Sequence, residues 1–177
     1  MVDLVVAALD ADVLVPILSC DLLLSCFDHD LYQPVITQRI LDEVDHSLAV
    51  DFPNLDRHAI ARRARQVAAV LALHNHPDAA VTDAVAGVNA KDRHIAAAAL
   101  ATRADLVVTN DKRLRRQIDA LDAPVRAVSA DEFVGGLCHA QPDQIVAVLD
   151  AMVAKRTRRP ITRRTSSTRW RHRSLGS

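Results

Sequence analysis

Near its N-terminus the chain carries an apolar run, Leu4 to Leu9, that ends abruptly in two carboxylates, Asp10 and Asp12. A short run that is apolar throughout is typical of a strand buried on both faces, as in a parallel sheet covered by helices. Carboxylates at the end of a buried strand are costly unless a cation meets them. Because ligands bind in open α/β sheets at the carboxyl ends of the strands, Asp10 lies where a site is expected.

The composition favours helices packed on a parallel sheet. Half of the 177 residues are apolar but only 3% are aromatic, and Ala, Val and Leu are abundant where a β-sandwich uses Tyr and Trp. A chain of this length suits one domain with appendages and buries most of the surface that its unfolded form exposes. The sequence therefore predicts an α/β domain with a central parallel sheet.

Apolar periodicity and end signals predict the remaining elements. Further strands are predicted at Leu31–Ile36, Leu106–Thr109 and Val125–Val128. Helices are predicted at Val13–Phe27 with Pro16 in its first turn, from Thr37 as N-cap to about Val50, at Leu55–Leu73, from Asp92, at Lys112–Leu121, after the capping box of Ser129 and Glu132, and at about 143–154. The segment from His74 to Lys91 is predicted to be mostly loop.

Four acids stand out by their positions relative to these elements. Asp10 follows one buried strand directly, and Asp111 follows another after Asn110. Glu43 borders the buried stripe of the helix after the second strand, and Asp92 begins a helix. Any one of them is also compatible with a helix cap or a solvated side chain. Neighbouring parallel strands that both end in Asp bring like charges together, however, and a divalent cation relieves that repulsion.

This arrangement of carboxylates favours nuclease chemistry. Mg²⁺ and Mn²⁺ prefer oxygen ligands and are typically held by a few carboxylates together with substrate phosphates. Such a site activates a water molecule for in-line attack on a phosphodiester and stabilises the charge on the leaving oxygen. We therefore expect Mg²⁺ or Mn²⁺ as the cofactor.

Four segments of the chain resemble the PIN-domain family, and within it the VapC-type ribonuclease toxins of bacterial toxin–antitoxin pairs. The segments are LDADVLVP, ITQRILDEV, AKDRHIAAAAL and LVVTNDKRL, in this order, and the resemblance covers about residues 4–135. It implies a three-layer α/β/α fold, cleavage of single-stranded RNA regions with Mg²⁺ or Mn²⁺, a homodimer, and inhibition by a cognate antitoxin. By the match, the metal-binding and catalytic acids are Asp10, Glu43, Asp92 and Asp111.

Three further residues adjoin these acids in the resemblance. Thr109 and Asn110 match polar residues beside the last acid, where they orient a ligand or bind a water molecule of the metal. Asp12 stands where family members often carry Asn or Ser, and it either joins the site or bonds to nearby backbone. Asn89 stands where related sequences often have an additional acid, so the match is less complete around Asp92.

Three other functions remain open at this point. A haloacid-dehalogenase-like phosphatase shares the Asp-x-Asp spacing of Asp10 and Asp12. That class also needs a lone Lys. Lys112 starts a helix at a place that does not suit this role, and Glu43 would have no role in the reaction. A receiver-like phosphoacceptor domain needs its acceptor Asp on a middle strand and a Lys on the last strand, and neither is present. A PIN-like module that only binds RNA or protein would lack metal-dependent cleavage.

The formal net charge of zero conceals an acidic body and a basic tail. Residues 1–154 contain 13 Lys and Arg against 22 Asp and Glu, whereas residues 155–177 contain 9 basic residues and no acid. The tail has no apolar period and is predicted to be disordered alone. It either binds RNA electrostatically, folds on an acidic surface, or has no role. We expect a nuclease domain over 1–138, a helical extension over 139–155 and the tail over 156–177.

The sequence favours a cytoplasmic protein. Acids at Asp3 and Asp10 interrupt the N-terminal apolar run, so no signal peptide is indicated. The odd number of cysteines, Cys20, Cys26 and Cys138, in apolar helical contexts is typical of reduced core residues. No uninterrupted apolar segment approaches the roughly 20 residues that span a bilayer, so we expect no membrane partner.

Overall fold

The computed structural model describes residues 4–51, 67, 75–76 and 78–157. The predicted helix at Leu55–Leu73 lies outside the described residues except at Val67, which is helical and buried. The basic tail beyond residue 157 lies outside them as well.

Five short strands form the sheet in the part of the chain that the structure describes. In chain order they are β1 (Val6–Leu9), β2 (Gln33–Thr37), β3 (Asn75–His76), β4 (Leu106–Val108) and β5 (Arg126–Val128). Their order across the sheet is β3-β2-β1-β4-β5, and every pairing is parallel. The apolar β1 therefore lies at the centre, where Ala7, Ala8 and Leu9 are fully buried. This confirms the predicted strand that is buried on both faces.

Seven helices flank the sheet in the described part of the chain. They are α1 (Ala11–Leu14), α2 (Ile17–Asp28), α3 (Gln38–Asp51), α4 (Arg93–Ala101), α5 (Lys112–Asp119), α6 (Ala130–Ala140) and α7 (Pro142–Thr157), and a 3₁₀ turn spans Asp83–Val85. The predicted α/β class, with a central parallel sheet in a three-layer α/β/α arrangement, is confirmed. None of these described helices is long and apolar enough to cross a membrane.

Small side chains allow α4 to lie close to the sheet. Ala96, Ala97, Ala98 and Ala99 are each at most 5% exposed, and α4 contacts β1, β2 and β4. An alanine face brings a helix backbone near the strands and leaves little space for a larger side chain. This close packing fixes the first turn of α4, and with it Asp92, relative to the strand ends.

The C-terminal helix belongs to the same hydrophobic core as the sheet. α7 packs against α2 and α6, and its Ile145 and Val148 are buried. Just before it, the Gln141 side chain donates a hydrogen bond to the carbonyl of Leu31 at 3.3 Å. The helix predicted at about 143–154 is therefore present and anchored to the preceding fold.

Two local predictions were wrong. The single helix predicted at Val13–Phe27 is two helices, because Pro16 is extended, with φ −68° and ψ 128°, and acts as the N-cap of α2 rather than as a first-turn residue. Cys138 was predicted to be a core residue like Cys20 and Cys26, but it is exposed on α6 while the other two are buried. A helical context alone does not tell which face a cysteine occupies.

Replacing Ala98 with Leu is expected to destabilise the fold by about 1–3 kcal/mol, because the buried face of α4 has no room for the added carbons. Ala101→Leu is the matched control, since Ala101 is exposed on the same helix, and its effect should stay within about 0.5 kcal/mol. Urea denaturation of both variants measures the difference. Equal stabilities would contradict the close packing of α4.

Candidate metal centre

The strand register places three polar residues at one level of the carboxyl edge of the sheet. When the registers of β1 with β2 and of β1 with β4 are continued past Leu9, Asp10 is level with Thr37 on one side and Thr109 on the other. Residues paired in this way lie on the same face of a sheet. We call Thr37, Asp10 and Thr109 the edge row.

Thr109 is fully buried and joins two acids. Its Oγ1 lies 2.8 Å from Oδ2 of Asp10 and 3.2 Å from Oδ2 of Asp12. The same oxygen accepts a hydrogen bond from the backbone N–H of Asp111 at 3.2 Å. A hydroxyl has a single proton to donate, so it serves only one carboxylate at a time. The two carboxylates therefore lie close together and share this one hydroxyl proton. An added proton or a cation relieves their repulsion.

Backbone amides supply the other hydrogen bonds of these two carboxylates. The N–H of Ala11 donates to Oδ1 of Asp10 at 2.8 Å, and the N–H of Asn110 donates to Oδ2 of Asp12 at 2.9 Å. The remaining oxygen, Oδ1 of Asp12, is buried and has no hydrogen-bond partner among the described residues. Asp12 therefore has one oxygen available for a ligand.

Burial raises the pKa of both carboxyls. For Asp10, desolvation is the largest cause; the hydrogen bond from Thr109 opposes it, and the negative charges of Asp92 and Glu43 reinforce it. For Asp12, desolvation and then the charge of Asp10 raise the pKa to about 6. Both acids are thus costly to ionise in the metal-free protein, and a bound cation would remove that cost.

Asp111 has the opposite electrostatic environment. It is the N-cap of α5, and its Oδ1 accepts hydrogen bonds from the backbone N–H groups of Leu114 at 3.2 Å and Arg113 at 2.7 Å. These bonds, that of Leu114 first, and the positive charges of Lys91 and Arg113 hold the pKa of the Asp111 carboxyl below its usual value against the effect of burial. Asp111 is therefore an anion at neutral pH.

Glu43 projects from α3 at the border of the core, which is the position predicted for it. Its Oε2 lies 3.2 Å from Nε2 of the buried His94, and its Oε1 lies 3.6 Å from Nε of Arg39. The Nδ1 atom of His94 lies 2.9 Å from the carbonyl oxygen of Lys91. Although Nε2 is close to Glu43, the geometry does not form a hydrogen bond, and this nitrogen has no such partner among the described residues.

Asp92 precedes α4, but its side chain makes no capping hydrogen bond. The capping alternative that the sequence left open for this carboxylate is therefore wrong. The Nζ atom of Lys91 lies 3.6 Å from its Oδ1. The same ammonium helps to lower the pKa of Asp111, so Lys91 acts electrostatically on both acids.

Three of the five buried polar atoms that lack a hydrogen-bond partner within the described residues belong to this part of the molecule. They are Oδ1 of Asp12, Oγ1 of Thr37 and Nε2 of His94. The prediction that Thr37 caps α3 is wrong for its side chain, since a capping hydroxyl accepts a bond from a backbone N–H. Buried polar atoms are nearly always paired in native proteins, so this part of the molecule is where an ordered water or a polar ligand would find partners.

The residues of this site suit a hard divalent cation. Their donors are carboxylate oxygens, which Mg²⁺ and Mn²⁺ prefer. Among the described residues, no three His, Cys, Asp or Glu side chains form a ready-made metal-binding group, and oxygens of Asp10 and Asp111 are engaged by hydrogen bonds within the protein. The unpartnered oxygen of Asp12 is the donor that fits a cation most directly.

The structure brings most of the predicted site residues together. Asp10, Asp12, Thr109 and Asp111 share one hydrogen-bonded network. Glu43 and Asp92 are close enough to raise the pKa of Asp10. Asn110 contributes its backbone N–H to Asp12, while its side-chain Oδ1 accepts a hydrogen bond from the Ala130 N–H at the start of α6.

Sequence reasoning missed three residues of this site: Thr37, Lys91 and His94. Thr37 directly precedes a helix, and this local explanation as a cap hides its position at the end of a strand beside Asp10. Lys91 and His94 flank Asp92 in the segment KDRH. Their proximity to a predicted acid is the signal that could have found them.

Comparison with known proteins supports the fold. No protein-family model matches the sequence, and no curated protein matches it. The crystal structure of PAE2754 from Pyrobaculum aerophilum is similar, with a TM-score of 0.52 and 17% sequence identity over 76% of this chain and 96% of that chain. At this level of identity the likeness shows a shared fold alone.

Replacing Asp12 with Asn is expected to change how stability depends on pH in the absence of divalent cations. The Asp12 carboxyl has a pKa of about 6 in the folded protein against an ordinary value of 3.8, so folding favours its protonated form. The resulting stabilisation is fully present below about pH 4 and is lost as the pH rises through about 6. The Asp12→Asn variant lacks this loss, so its Tm should match that of the wild type near pH 4 and exceed it at neutral pH.

Thermal denaturation in EDTA across this pH range measures the effect, at about 2–4 °C of Tm for each kcal/mol. Asp122→Asn is the control, because Asp122 is exposed and lies outside the site. A difference in Tm that stays constant with pH would show that Asp12 is not the titrating group.

Proposed function

We propose that this chain is a metal-dependent endoribonuclease that uses Mg²⁺ or Mn²⁺, and that it is the toxin of a type II toxin–antitoxin pair. The observation that carries the proposal is the contact of Asp10 and Asp12 through Thr109, with an unpartnered oxygen on Asp12. Burial raises the pKa of both carboxyls; the charges of Asp92 and Glu43 add to the effect at Asp10, and the charge of Asp10 adds to it at Asp12. A divalent cation offsets both penalties, and a proton offsets them only at lower pH.

A bound cation supplies an activated water molecule for in-line attack and neutralises charge that develops on the phosphate. Asp10 and Asp12 would hold it from the end of β1, and Asp111 from the end of β4. Asp111 suits this role because hydrogen bonds from the first turn of α5 keep it ionised. Glu43, beside His94, and Asp92 complete the acidic lining.

A basic groove along the helix that follows Asp111 supports a polyanionic substrate. The groove has a volume of about 540 Å³ and lies between α5 and β5. Basic and acidic side chains line it, namely Lys112, Arg115, Arg116, Arg126, Asp119 and Glu132. The two acids are committed to structural contacts: Glu132 forms a capping box with Ser129 and pairs with Arg115 at 2.8 Å, and Asp119 accepts a hydrogen bond from the Ala127 N–H.

Lys112 and Arg116 are the available cations of the basic groove. Both are exposed, and neither forms a salt bridge with another described residue, whereas Arg115 and Arg126 are paired with Glu132 and Asp119. Lys112 directly follows Asp111 in the chain. Phosphates bound in the groove would therefore lead a nucleic-acid strand to the acids.

RNA as the substrate, the cognate antitoxin and the homodimer are inferred from the resemblance of the four sequence segments to VapC-type toxins. The carboxylate geometry and the basic groove support the phosphodiester chemistry. RNA cleavage, the antitoxin and the homodimer are together typical of a toxin that is inhibited by its antitoxin.

Purified protein incubated with total RNA is expected to cleave it in Mg²⁺ or Mn²⁺ and not in EDTA. The Asp10→Asn variant keeps the shape of the side chain but removes its charge, so cleavage should fall by at least about a hundredfold. Mapping of the new RNA ends measures the activity and reveals the target. Circular dichroism should show that the variant is folded.

Asp122→Asn serves as the control for this experiment, since it removes a carboxylate outside the site and should leave cleavage unchanged. Cleavage that persists in EDTA would contradict metal dependence. No cleavage with either metal, by folded protein free of antitoxin, would overturn the proposal and indicate a module that only binds RNA or protein.

Neutralising the two available cations of the basic groove is expected to weaken RNA binding. Lys112→Gln and Arg116→Gln each remove one contact to phosphate, so in a single-stranded RNA oligonucleotide each should reduce the slope of log affinity against log salt by about 0.7. Fluorescence anisotropy in the Asp10→Asn background measures binding without cleavage.

Arg103→Gln is the matched control for the groove, because Arg103 is an exposed arginine outside it. Its affinity and salt slope should equal those of the parent protein. If all three variants bind the RNA oligonucleotide as tightly as the parent protein, the basic groove does not hold RNA.

A further inference from the structure

Asp10 lies between two threonines in the edge row, and the two hydroxyls are used differently. The Thr109 hydroxyl lies 2.8 Å from Asp10 and is engaged on both of its hydrogen-bonding sides. The Thr37 hydroxyl, at the same level on the opposite side, has no hydrogen-bond partner among the described residues. The side chain of Thr37 is 1% exposed, so bulk water does not satisfy it.

Among the described residues, no contact gives a structural reason for a hydroxyl at position 37. It does not cap α3, and Ile36, Ile40 and Val44 around it in the chain are apolar and buried. A valine has nearly the same shape and would avoid the cost of burying an unsatisfied polar group. A polar group kept at such a cost in a candidate site is explained by a ligand that is polar itself.

We propose that Thr37 is a ligand-binding residue of this site, and that its hydroxyl hydrogen-bonds a water molecule in the coordination shell of the divalent cation. The proposal rests on the proposed function. Mg²⁺ keeps several of its waters when proteins bind it through carboxylates. The strand register, continued past its last pairs, puts Thr37 beside Asp10 on the face that carries Thr109, at the edge of the sheet where the cation would be held.

The two threonines of the edge row then have separate tasks. Thr109 orients the carboxylates of Asp10 and Asp12, since it contacts both. The Thr37 hydroxyl forms a hydrogen bond with neither carboxylate, and its proposed partner is a water molecule of the cation. Loss of its hydroxyl should therefore weaken cation binding without loosening the protein, which separates a binding role from a structural one.

Three variants test this assignment with Mn²⁺ as the probe and no RNA present. Thr37→Val removes the hydroxyl and keeps the shape, Thr37→Ser keeps the hydroxyl, and Ser19→Ala removes a buried, unpartnered hydroxyl of α2 as a matched control. Mn²⁺ affinity is measured by isothermal titration calorimetry, and stability by urea denaturation in EDTA.

In EDTA, Thr37→Val is expected to be as stable as the wild type or more stable, because it no longer buries an unpaired hydroxyl. Its Mn²⁺ affinity should fall about three- to tenfold, the effect of one lost hydrogen bond. Thr37→Ser should keep the affinity within about twofold. Ser19→Ala should leave the affinity unchanged.

Two results would overturn the role of Thr37 while leaving the nuclease proposal intact. One is wild-type Mn²⁺ affinity in Thr37→Val, and the other is a marked loss of its stability in EDTA, which would show that the hydroxyl is structural. If the wild-type protein itself binds no Mn²⁺, the proposed function fails and the role of Thr37 fails with it.

Discussion

The site depends on the parallel pairing of β1 with β4, which brings two polar strand ends together in the middle of the sheet. The pairing sets Thr109 beside Asp10, and the short helix after β1 returns Asp12 to the same hydroxyl. Neither acid forms a salt bridge with a basic side chain among the described residues. The packing of the apolar strands and of the alanine face of α4 stabilises the fold and offsets the cost of this arrangement. The same packing removes water from the carboxylates.

Burial and helix termini divide the acids into two electrostatic kinds. Asp10 and Asp12 are costly to ionise because packing removes water from them. Asp111 is easy to ionise because the first amides of α5 bond to it. A cation held between the two kinds would meet one carboxylate whose ionisation the fold favours and two whose ionisation the fold opposes. Such a site binds metal more weakly as protons compete at lower pH.

Local patterns were sufficient for most elements but not for their ends. The apolar runs predicted the strands, the alanine run predicted a helix close to the sheet, and Ser129 with Glu132 predicted the start of α6. Pro16 was misassigned because a proline fits both the first turn of one helix and the boundary between two. Cys138 and Thr37 were misassigned because the local sequence does not show which atoms a side chain contacts.

By itself the sequence determined the class of fold and the place of Asp10, because an apolar strand that ends in Asp has one favourable place in a helix-covered parallel sheet. It also carried the resemblance from which a ribonuclease function is proposed. Only the tertiary structure decided that one hydroxyl is shared by Asp10 and Asp12, that the two carboxyls have raised pKa values, and that Thr37 has no partner. These properties depend on strand register and on burial by distant segments, and residues nearly a hundred positions apart meet only when the chain has folded.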